Sequence, residues 1–403
     1  MKMEKVYIVG AKRTAIGSFG GTLKDKKAAE LGAEAIKGAI KQAGITPEQI
    51  DQTIVGNVLM AGQGMGPARQ AEIYAGIPVE KPAYTVHMVC GSGMKAIMLG
   101  ANEIKLGNAE IIVTAGMESM SNAPMLLPAK SRFGLKFGNI EMIDHMVYDG
   151  LTDVFNQYHM GITAENIVEK YGLTREEQDE FAAISQQRAE KAIKEGKFKD
   201  EIVPIEIKTR KETKIFDTDE YPRFGTTKET LAKLRPAFKK DGTVTAGNSS
   251  GINDGASAII IASETAVKKY GLTPLAEIIA YEQGGVDPSI MGMGPVAAIT
   301  NLIEKKGIKL EQMELLELNE AFAAQSLGVI KELSEKYGLT KEWFMERTNV
   351  NGGAIALGHP IGASGNRITV TLLYEMKKRN VEYGLASLCI GGGMGTAIVI
   401  KNL

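Results

Sequence analysis

Short runs of β-branched and apolar residues alternate along this chain with longer amphipathic stretches, and this alternation restricts the fold more than any other feature. The runs are of strand length and apolar at nearly every position, which is typical of strands covered on both faces; they span residues 5–9, 53–58, 110–115, 258–261, 275–280, 384–390 and 396–400. Between them, residues 31–43 and 94–104 carry apolar side chains at the three-to-four spacing of a helix. The pattern predicts an α/β protein whose sheets are covered by helices.

The composition is that of a large globular protein without a general affinity for polyanions. Of 403 residues, 44% are hydrophobic and 24% are charged, enough for two or three domains or one duplicated domain. The net charge of −1 argues against nucleic acid or a membrane surface as a partner. The sequence has no apolar run of ~18 residues and no leader or retention signal, so we expect a cytoplasmic protein without membrane spans. The presence of only two cysteines, Cys90 and Cys389, fits a reducing compartment.

The middle of the chain departs from the alternation. Residues 188–240 contain fifteen basic and ten acidic side chains. They form either a solvated surface or a surface that binds phosphate groups. We predict a loop domain inserted at about residues 121–249 into a first domain of residues 1–270, followed by a second domain of residues 271–403. Small-residue turns after Cys90 and Gly358 each lead into a helix and a strand, so the two domains are expected to repeat one topology.

Cys90 lies in YTVHMVCGSGMKA, where a β-type run ends at the cysteine and two glycines lead into a helix. A sulfur beside a helix N-terminus meets unpaired backbone N–H groups and the positive end of the helix dipole, which lower the pKa of the thiol. The sequence therefore predicts a nucleophilic thiolate, with free N–H groups able to hold an oxyanion. The alternative is a buried cysteine that packs as a small hydrophobe.

His359 and Asn319 are further polar candidates. His359 lies in NGGAIALGHPIGASGN, where glycines and Pro360 fix the loop and leave the ring accessible, so it is a candidate base. Asn319 lies in ELNEAFAAQ, after a short predicted strand. Its simplest interpretation is a helix N-cap with the Glu320 carboxylate in the first turn.

Cys389 ends a predicted strand and precedes a GGGMG segment. Fewer than ten residues follow this segment, so the helix, strand and acidic residue of a dinucleotide site do not fit. The sequence also lacks a P-loop, a GxSxG elbow and metal-ligand spacing among its four histidines. Two cysteines and a histidine in glycine-rich turns favour acyl transfer and carbon–carbon chemistry on thioesters, where one sulfur carries the acyl group and the other moves a proton.

These motifs resemble the signature blocks of the thiolase family, namely VCGSGMKA at 89–96, NEAFA at 319–323, GHPIGASG at 358–365 and CIGGGMGT at 389–396. Three further segments are similar to its short-chain, biosynthetic branch: YHMGITAE at 158–165, RPAF at 235–238 and AGNSSGINDGA at 246–256. The resemblance covers essentially the whole chain. It implies a five-layered α-β-α-β-α fold made of two similar halves, with an inserted loop domain that binds coenzyme A.

The resemblance also implies roles for single residues. Cys90 matches the nucleophile that becomes acetylated, and Cys389 matches the acid/base that removes or returns the α-proton. His359 matches the residue that activates the nucleophile and helps to hold the thioester oxygen. Asn319 matches an asparagine that fixes a water of the first oxyanion site, while the backbones of Cys90 and Gly391 match the second.

Coenzyme A contacts follow from the same resemblance. Arg223 matches a residue near the adenine and phosphates, and Ser250 matches one that hydrogen-bonds the pantetheine. The pantetheine tunnel and acyl pocket correspond to four residues: His159, Met160, Phe238 and Phe322. The chain departs from the family at His87, where asparagine is usual.

The function that the resemblance implies is the reversible Claisen condensation of two acetyl-CoA molecules to acetoacetyl-CoA and CoA, through an S-acetyl group on Cys90. The thioesters are substrates, no cofactor or metal is implied, and the expected assembly is a homodimer or homotetramer formed through residues 121–150. Two alternatives are a longer-chain degradative 3-ketoacyl-CoA thiolase and a non-catalytic acyl-CoA or lipid carrier. If Cys90 and Cys389 converge as thiolates, we also expect sensitivity to oxidation, through a disulfide or a sulfenic acid.

Overall fold

The computed structural model describes residues 4–208 and 212–403. Its β-strands are β1 (Val6–Thr14), β2 (Gly17–Ser18), β3 (Gln52–Gly56), β4 (Ala83–Val86), β5 (Ile111–Ser119), β6 (Met125–Leu126), β7 (Ile143–Asp144), β8 (Thr152–Asp153), β9 (Tyr158–His159), β10 (Ile202–Val203), β11 (Ile205–Lys208), β12 (Thr213–Phe216), β13 (Asn253–Ser263), β14 (Ala276–Gly285), β15 (Leu315–Leu318), β16 (Tyr383–Ile390) and β17 (Met394–Asn402). Its α-helices are α1 (Ala28–Ala43), α2 (Pro67–Tyr74), α3 (Ser92–Lys105), α4 (Met160–Tyr171), α5 (Arg175–Lys194), α6 (Lys228–Leu231), α7 (Glu264–Tyr270), α8 (Gly294–Lys306), α9 (Ala323–Tyr337), α10 (Lys341–Arg347), α11 (Ala354–Leu357) and α12 (Ile361–Arg379).

One mixed sheet runs through the described residues, in the order β15-β16-β17-β14-β1-β13-β5-β3-β4, with β10 beside β1 and β2 beside β13. Strand β1 joins the two halves, because it pairs with β13 and also, through Tyr7 and Ile8, with β14. The order β3-β5-β13-β1 is repeated as β15-β16-β17-β14. In each set the first pair is parallel and the next two pairs are antiparallel. The prediction that the halves repeat one topology is confirmed.

Neighbouring side chains of one strand enter different hydrophobic cores, as the two faces of a pleated strand require. On β13, Ile260 packs in the core that contains α1, whereas Ile259 packs in the core that contains α3 and α12. On β17, Ile398 enters that same central core, whereas Val399 packs with α8 and α9. Helices α3 and α12 therefore lie between the two halves of the sheet, which confirms the five-layered α-β-α-β-α architecture.

Glycines let α3 and α12 cross at close distance. A Cβ on Gly93 would lie 2.9 Å from the carbonyl oxygen of Gly362, and a Cβ on Gly365 would lie 2.6 Å from a backbone nitrogen of α3. Larger side chains at these positions would force the helices apart. The crossing therefore sets the distance between the loops that precede the two helices, and these loops carry Cys90 and His359.

Each of the seven predicted runs overlaps an observed strand, but the run before Cys90 behaves differently. Strand β4 ends at Val86, and Val89 has a left-handed φ of 44°, which is uncommon for a β-branched residue. A backbone turn of this kind ends the ladder before the cysteine. The expectation that the strand continues to Cys90 is therefore wrong.

Residues 121–249 contain the short strand pairs β6·β7, β8·β9 and β11·β12 together with α4, α5 and α6. Not every basic side chain of residues 188–240 is free on the surface, because Arg188 donates hydrogen bonds to the carbonyl oxygens of Thr348 and Met345. Two others, Arg210 and Lys211, lie outside the described residues. The domain boundaries stay a prediction. Over the described ranges, every helix is too short or too polar to cross a membrane.

Candidate active site

A cavity of about 670 Å³ opens beside the loops that precede α3 and α12. Nine of the eleven predicted site residues line it: Cys90, His159, Met160, Arg223, Ser250, Phe238, Phe322, His359 and Gly391. Cys389 and Asn319 lie behind its wall and are only 1% and 2% exposed. A larger surface groove between α1 and β11 contains none of the predicted residues. The predicted residues therefore belong to one region of the fold, and two of them are covered by it.

The turn that carries Cys90 is held by Ser92. The Ser92 hydroxyl donates to the carbonyl oxygen of Val89 (2.6 Å) and accepts from the backbone N–H of Met88 (2.8 Å). These two bonds stabilise the left-handed conformation of Val89, which by itself is unfavourable. Cys90 is thereby held half-buried, immediately before the first turn of α3. His87 is exposed on the other side of this turn.

The loop that carries His359 is fixed by Asn253 of β13. The Asn253 side chain accepts the backbone N–H of His359 (2.9 Å) and donates to the carbonyl oxygen of Gly17 (2.9 Å). Gly358 packs on this amide with a φ of 104°, and a Cβ there would lie 2.4 Å from Asn253 Cγ. Only glycine satisfies both conditions. The imidazole Nδ1 lies 2.6 Å from Ser364 Oγ, and Nε2 is buried without a hydrogen-bond partner among the described residues.

Burial keeps the reactive groups uncharged. It raises the pKa of the Cys90 thiol to about 11, although the backbone N–H groups of Gly391 and Cys90 act in the opposite direction. Burial raises the pKa of the Cys389 thiol as well, and the nearby Cys90 adds to this increase. It lowers the pKa of His359 to about 3, helped by the Arg367 guanidinium. Near neutral pH the site holds two free thiols and a neutral imidazole. These pKa shifts run opposite to the predicted resting thiolates, because desolvation outweighs the helix N-terminus.

Asn319 is not a helix cap. Helix α9 begins at Ala323, after Phe322, so the N-cap interpretation is wrong. The backbone N–H of Asn319 donates to the carbonyl oxygen of Ser387 on β16 (3.0 Å), which ties it to the strand that carries Cys389. Its side-chain Oδ1 and Nδ2 are buried and have no partner among the described residues. A buried amide of this kind is suited to a water or a substrate that both donates and accepts.

An aromatic wall lines one side of the cavity. The rings of His159 and Phe238 stack with their centroids 4.7 Å apart, and Phe238 meets Phe322 edge to face at 6.1 Å. The stack depends on Gly161, because a Cβ there would lie 2.1 Å from the Phe238 ring. Burial also lowers the pKa of His159, so this ring remains an uncharged part of the wall. The wall fits an apolar chain better than a charged group.

Of the remaining cavity residues, two were predicted from the sequence and three others were not. Arg223 is exposed, and its backbone N–H is held by a side chain of α5 (2.9 Å), while the Ser250 N–H donates to a carbonyl next to Phe322 (2.9 Å). Sequence reasoning missed Phe19, which is 56% exposed, together with Tyr221 and Met291. These three come from distant parts of the chain, and no motif or spacing marks them.

The raised pKa of Cys90 has a measurable consequence. Below a pKa of about 11 the thiolate fraction grows with pH, so alkylation of Cys90 by iodoacetamide should accelerate roughly tenfold per pH unit between about pH 7 and 9. Timed peptide mass spectrometry measures this rate, and a Cys389→Ser variant restricts the signal to one sulfur. A rate that is already constant across this range would mean that the thiolate exists at rest.

The similarity to known proteins extends over nearly the whole chain. The thiolase N-terminal domain matches residues 6–265, and the thiolase C-terminal domain matches residues 272–402. Over 401 residues the chain is 56% identical to the acetyl-CoA acetyltransferase of Pseudomonas aeruginosa, which covers 99% of this chain and 100% of that protein.

Solved structures agree with these matches. The acetyl-CoA acetyltransferase from Syntrophomonas wolfei superposes with a TM-score of 0.97 at 42% identity, covering 100% of both chains. The human mitochondrial 3-ketoacyl-CoA thiolase in complex with CoA gives 0.93 at 46% identity, covering 99% of this chain and 98% of that one. Since the domain matches and the full-length relatives extend over nearly every residue, this chain belongs to the thiolase family.

Proposed function

We propose that this chain is an acetyl-CoA acetyltransferase that catalyses the reversible condensation of two acetyl-CoA molecules to acetoacetyl-CoA and CoA, by a ping-pong route through S-acetyl-Cys90. The observation that carries this proposal is that Cys90, His359 and Gly391 line one cavity. A nucleophile, a base and a backbone hydrogen-bond donor are thus exposed to the same cavity. Full-length relatives from three bacteria, 52–56% identical, are named acetyl-CoA acetyltransferases.

In the first half-reaction the Cys90 sulfur attacks the acetyl carbonyl while His359 Nε2 takes the thiol proton. The new S–C bond forms, the C–S bond to CoA breaks, and the departing CoA sulfur takes the proton of Cys389. Since the pKa of His359 is about 3 and that of Cys90 about 11, this proton moves only when the substrate is attacked. The step leaves a protonated imidazole and a Cys389 thiolate.

In the second half-reaction the Cys389 thiolate removes a proton from the methyl group of another acetyl-CoA. The resulting carbanion attacks the acetyl group on Cys90, and the Cys90 sulfur leaves and recovers its proton from His359. The N–H groups of Gly391 and Cys90, which already act on the Cys90 sulfur, are the donors for the oxyanion. The unpaired Asn319 amide provides the second set of polar atoms, through a water.

The cavity also supports the binding of coenzyme A. The Arg223 guanidinium is exposed at the open side, where it suits phosphate groups. Ser250 lines the same cavity, and its hydroxyl is suited to a pantetheine amide. The wall formed by His159, Phe238 and Phe322, with Met160, favours a short acyl chain because two of its rings are locked by stacking.

A longer-chain 3-ketoacyl-CoA thiolase is the second candidate, since the human mitochondrial enzyme of that name is 47% identical with a TM-score of 0.94. The chemistry is the same for both, and the difference lies in the width of the acyl pocket. A non-catalytic carrier has less support, because each group that the reaction uses is present in or directly behind the cavity.

The assembly we propose is a homodimer or homotetramer in the bacterial cytoplasm. Large apolar side chains are exposed along residues 121–150, among them Phe133 at 86% and Phe137 at 99%. A single chain rarely leaves such a patch in water, so a second copy is its expected partner. The three full-length relatives named acetyl-CoA acetyltransferases come from bacteria, which supports the location. Light scattering measures the mass of the assembly directly.

A chain-length series tests the substrate class. In the thiolysis direction, kcat/KM should be highest for acetoacetyl-CoA and fall as the 3-ketoacyl chain is lengthened, because the aromatic wall limits the space beside Cys90. Absorbance of the 3-ketoacyl thioester follows the reaction. A kcat/KM that rises with chain length would instead assign the chain to the longer-chain class.

The division of labour between the cysteines is tested with labelled acetyl-CoA. Cys90→Ser should accept no label, since a serine hydroxyl has far too high a pKa to replace the thiol. Cys389→Ser should still be acetylated on Cys90, because CoA can leave as a thiolate, but should form no acetoacetyl-CoA. Mass spectrometry detects the acetyl group. A Cys389→Ser protein that cannot be acetylated at all would contradict the proposed roles.

Arg223→Ala tests the phosphate contact. We expect the KM for acetyl-CoA to rise roughly 5-fold with kcat nearly unchanged, because a remote contact is made equally in the ground and transition states. Lys233→Ala is the matched control, since this exposed basic residue lies in the same segment but not in the cavity. A large loss of kcat at constant KM would place Arg223 closer to the reacting atoms.

A further inference from the structure

The hydrogen bond on the far side of the His359 ring determines which nitrogen carries the proton. A neutral imidazole has one N–H donor and one acceptor nitrogen, and these alternate between Nδ1 and Nε2. To take a proton from Cys90, Nε2 has to be the acceptor. Nδ1 therefore has to hold the hydrogen, and its partner has to be an acceptor.

Ser364 is the partner of Nδ1, with Oγ at 2.6 Å. Its hydroxyl has a single hydrogen, and the carbonyl oxygen of Pro360 lies 3.0 Å away, placed to accept it. A hydroxyl that donates to a carbonyl can receive a further hydrogen bond only through its oxygen. Both contacts are made at once only if Nδ1 is the donor, and Nε2 then keeps its lone pair.

The surroundings of Nε2 favour the same tautomer. His359 Nε2 is buried and has no hydrogen-bond partner in the described part of the chain, so nothing there draws a proton to it. The nearby carboxylate Glu118 is engaged by the backbone N–H of Gly362 (2.9 Å) and by other donors, and does not bind the ring. Both Ser364 and His359 are buried, so bulk water does not replace the serine.

We propose that Ser364 is a positioning residue that holds His359 in the tautomer with hydrogen on Nδ1, so that Nε2 is free to accept the Cys90 proton. The inference rests on the proposed acyl transfer. In that step the Cys90 S–H bond breaks as the Nε2–H bond forms, the sulfur bonds the acyl carbon, and CoA departs with the Cys389 proton. A neutral serine oxygen fixes the tautomer without attracting a second proton as a carboxylate would.

Ser364→Ala removes the acceptor of Nδ1. Acetylation of Cys90 in a rapid-quench experiment should slow by roughly 10-fold or more, with the KM for acetyl-CoA nearly unchanged, because substrate contacts are intact. Ser364→Thr keeps the hydroxyl and should recover most of the rate. Ser257→Ala is the matched control: Ser257 is equally buried and donates to the carbonyl of Ala363 on the same helical turn, but does not touch His359.

The tautomer itself is measured without substrate. In protein labelled with ¹⁵N-histidine, only four residues contribute, and His359→Asn identifies the signal of interest. The wild type should show Nδ1 protonated and Nε2 unprotonated, and Ser364→Ala should show a mixture. A protonated Nε2 in the wild type, or wild-type acetylation by Ser364→Ala, would overturn the inference. Absence of acetyl transfer in the wild type would instead overturn the proposed function, since the tautomer measurement needs no activity.

Discussion

The crossing of α3 and α12 is the contact on which the site depends. The two helices come from different halves of the chain, and they approach closely because glycines at 93 and 365 leave room for backbone atoms only. Each helix begins where a loop delivers one reactive side chain, Cys90 on one and His359 on the other. Strands β5 and β13 cover one side of the pair and β16 and β17 the other, so the geometry of the site is fixed by the central layer of the molecule.

Burial in that layer determines the chemistry as much as the choice of residues does. A thiol beside a helix N-terminus would ordinarily lose its proton more readily, but here the surrounding apolar groups raise the pKa of both sulfurs. The same burial lowers the pKa of His359. The resting site is therefore neutral, and charge appears only while a thioester occupies it. A neutral thiol is also a weaker nucleophile than a thiolate towards groups other than the substrate.

Much of this could be predicted from the sequence. Apolar runs locate the strands because strands covered on both faces need them, and Cys90, His359 and Cys389 are conspicuous because rare reactive residues lie in glycine-rich turns. The protonation states could not be predicted, since they depend on packing from distant segments. Ser364 and Asn253 illustrate the same limit. Both lie within quoted motifs, but which atom each one bonds depends on turns that no spacing rule describes.

The position of strand β1 in the sheet affects how the chain folds. It is synthesised first, but its antiparallel partners β13 and β14 follow residues 121–249 in the sequence and are synthesised much later. During synthesis on the ribosome, this apolar strand therefore emerges long before either edge can be paired. Pairing over such separations is slow, and an unpaired strand edge invites association with other chains. The first strand of each nascent molecule thus waits a long time for its antiparallel partners, and this waiting time defines the interval in which a chaperone has most to protect.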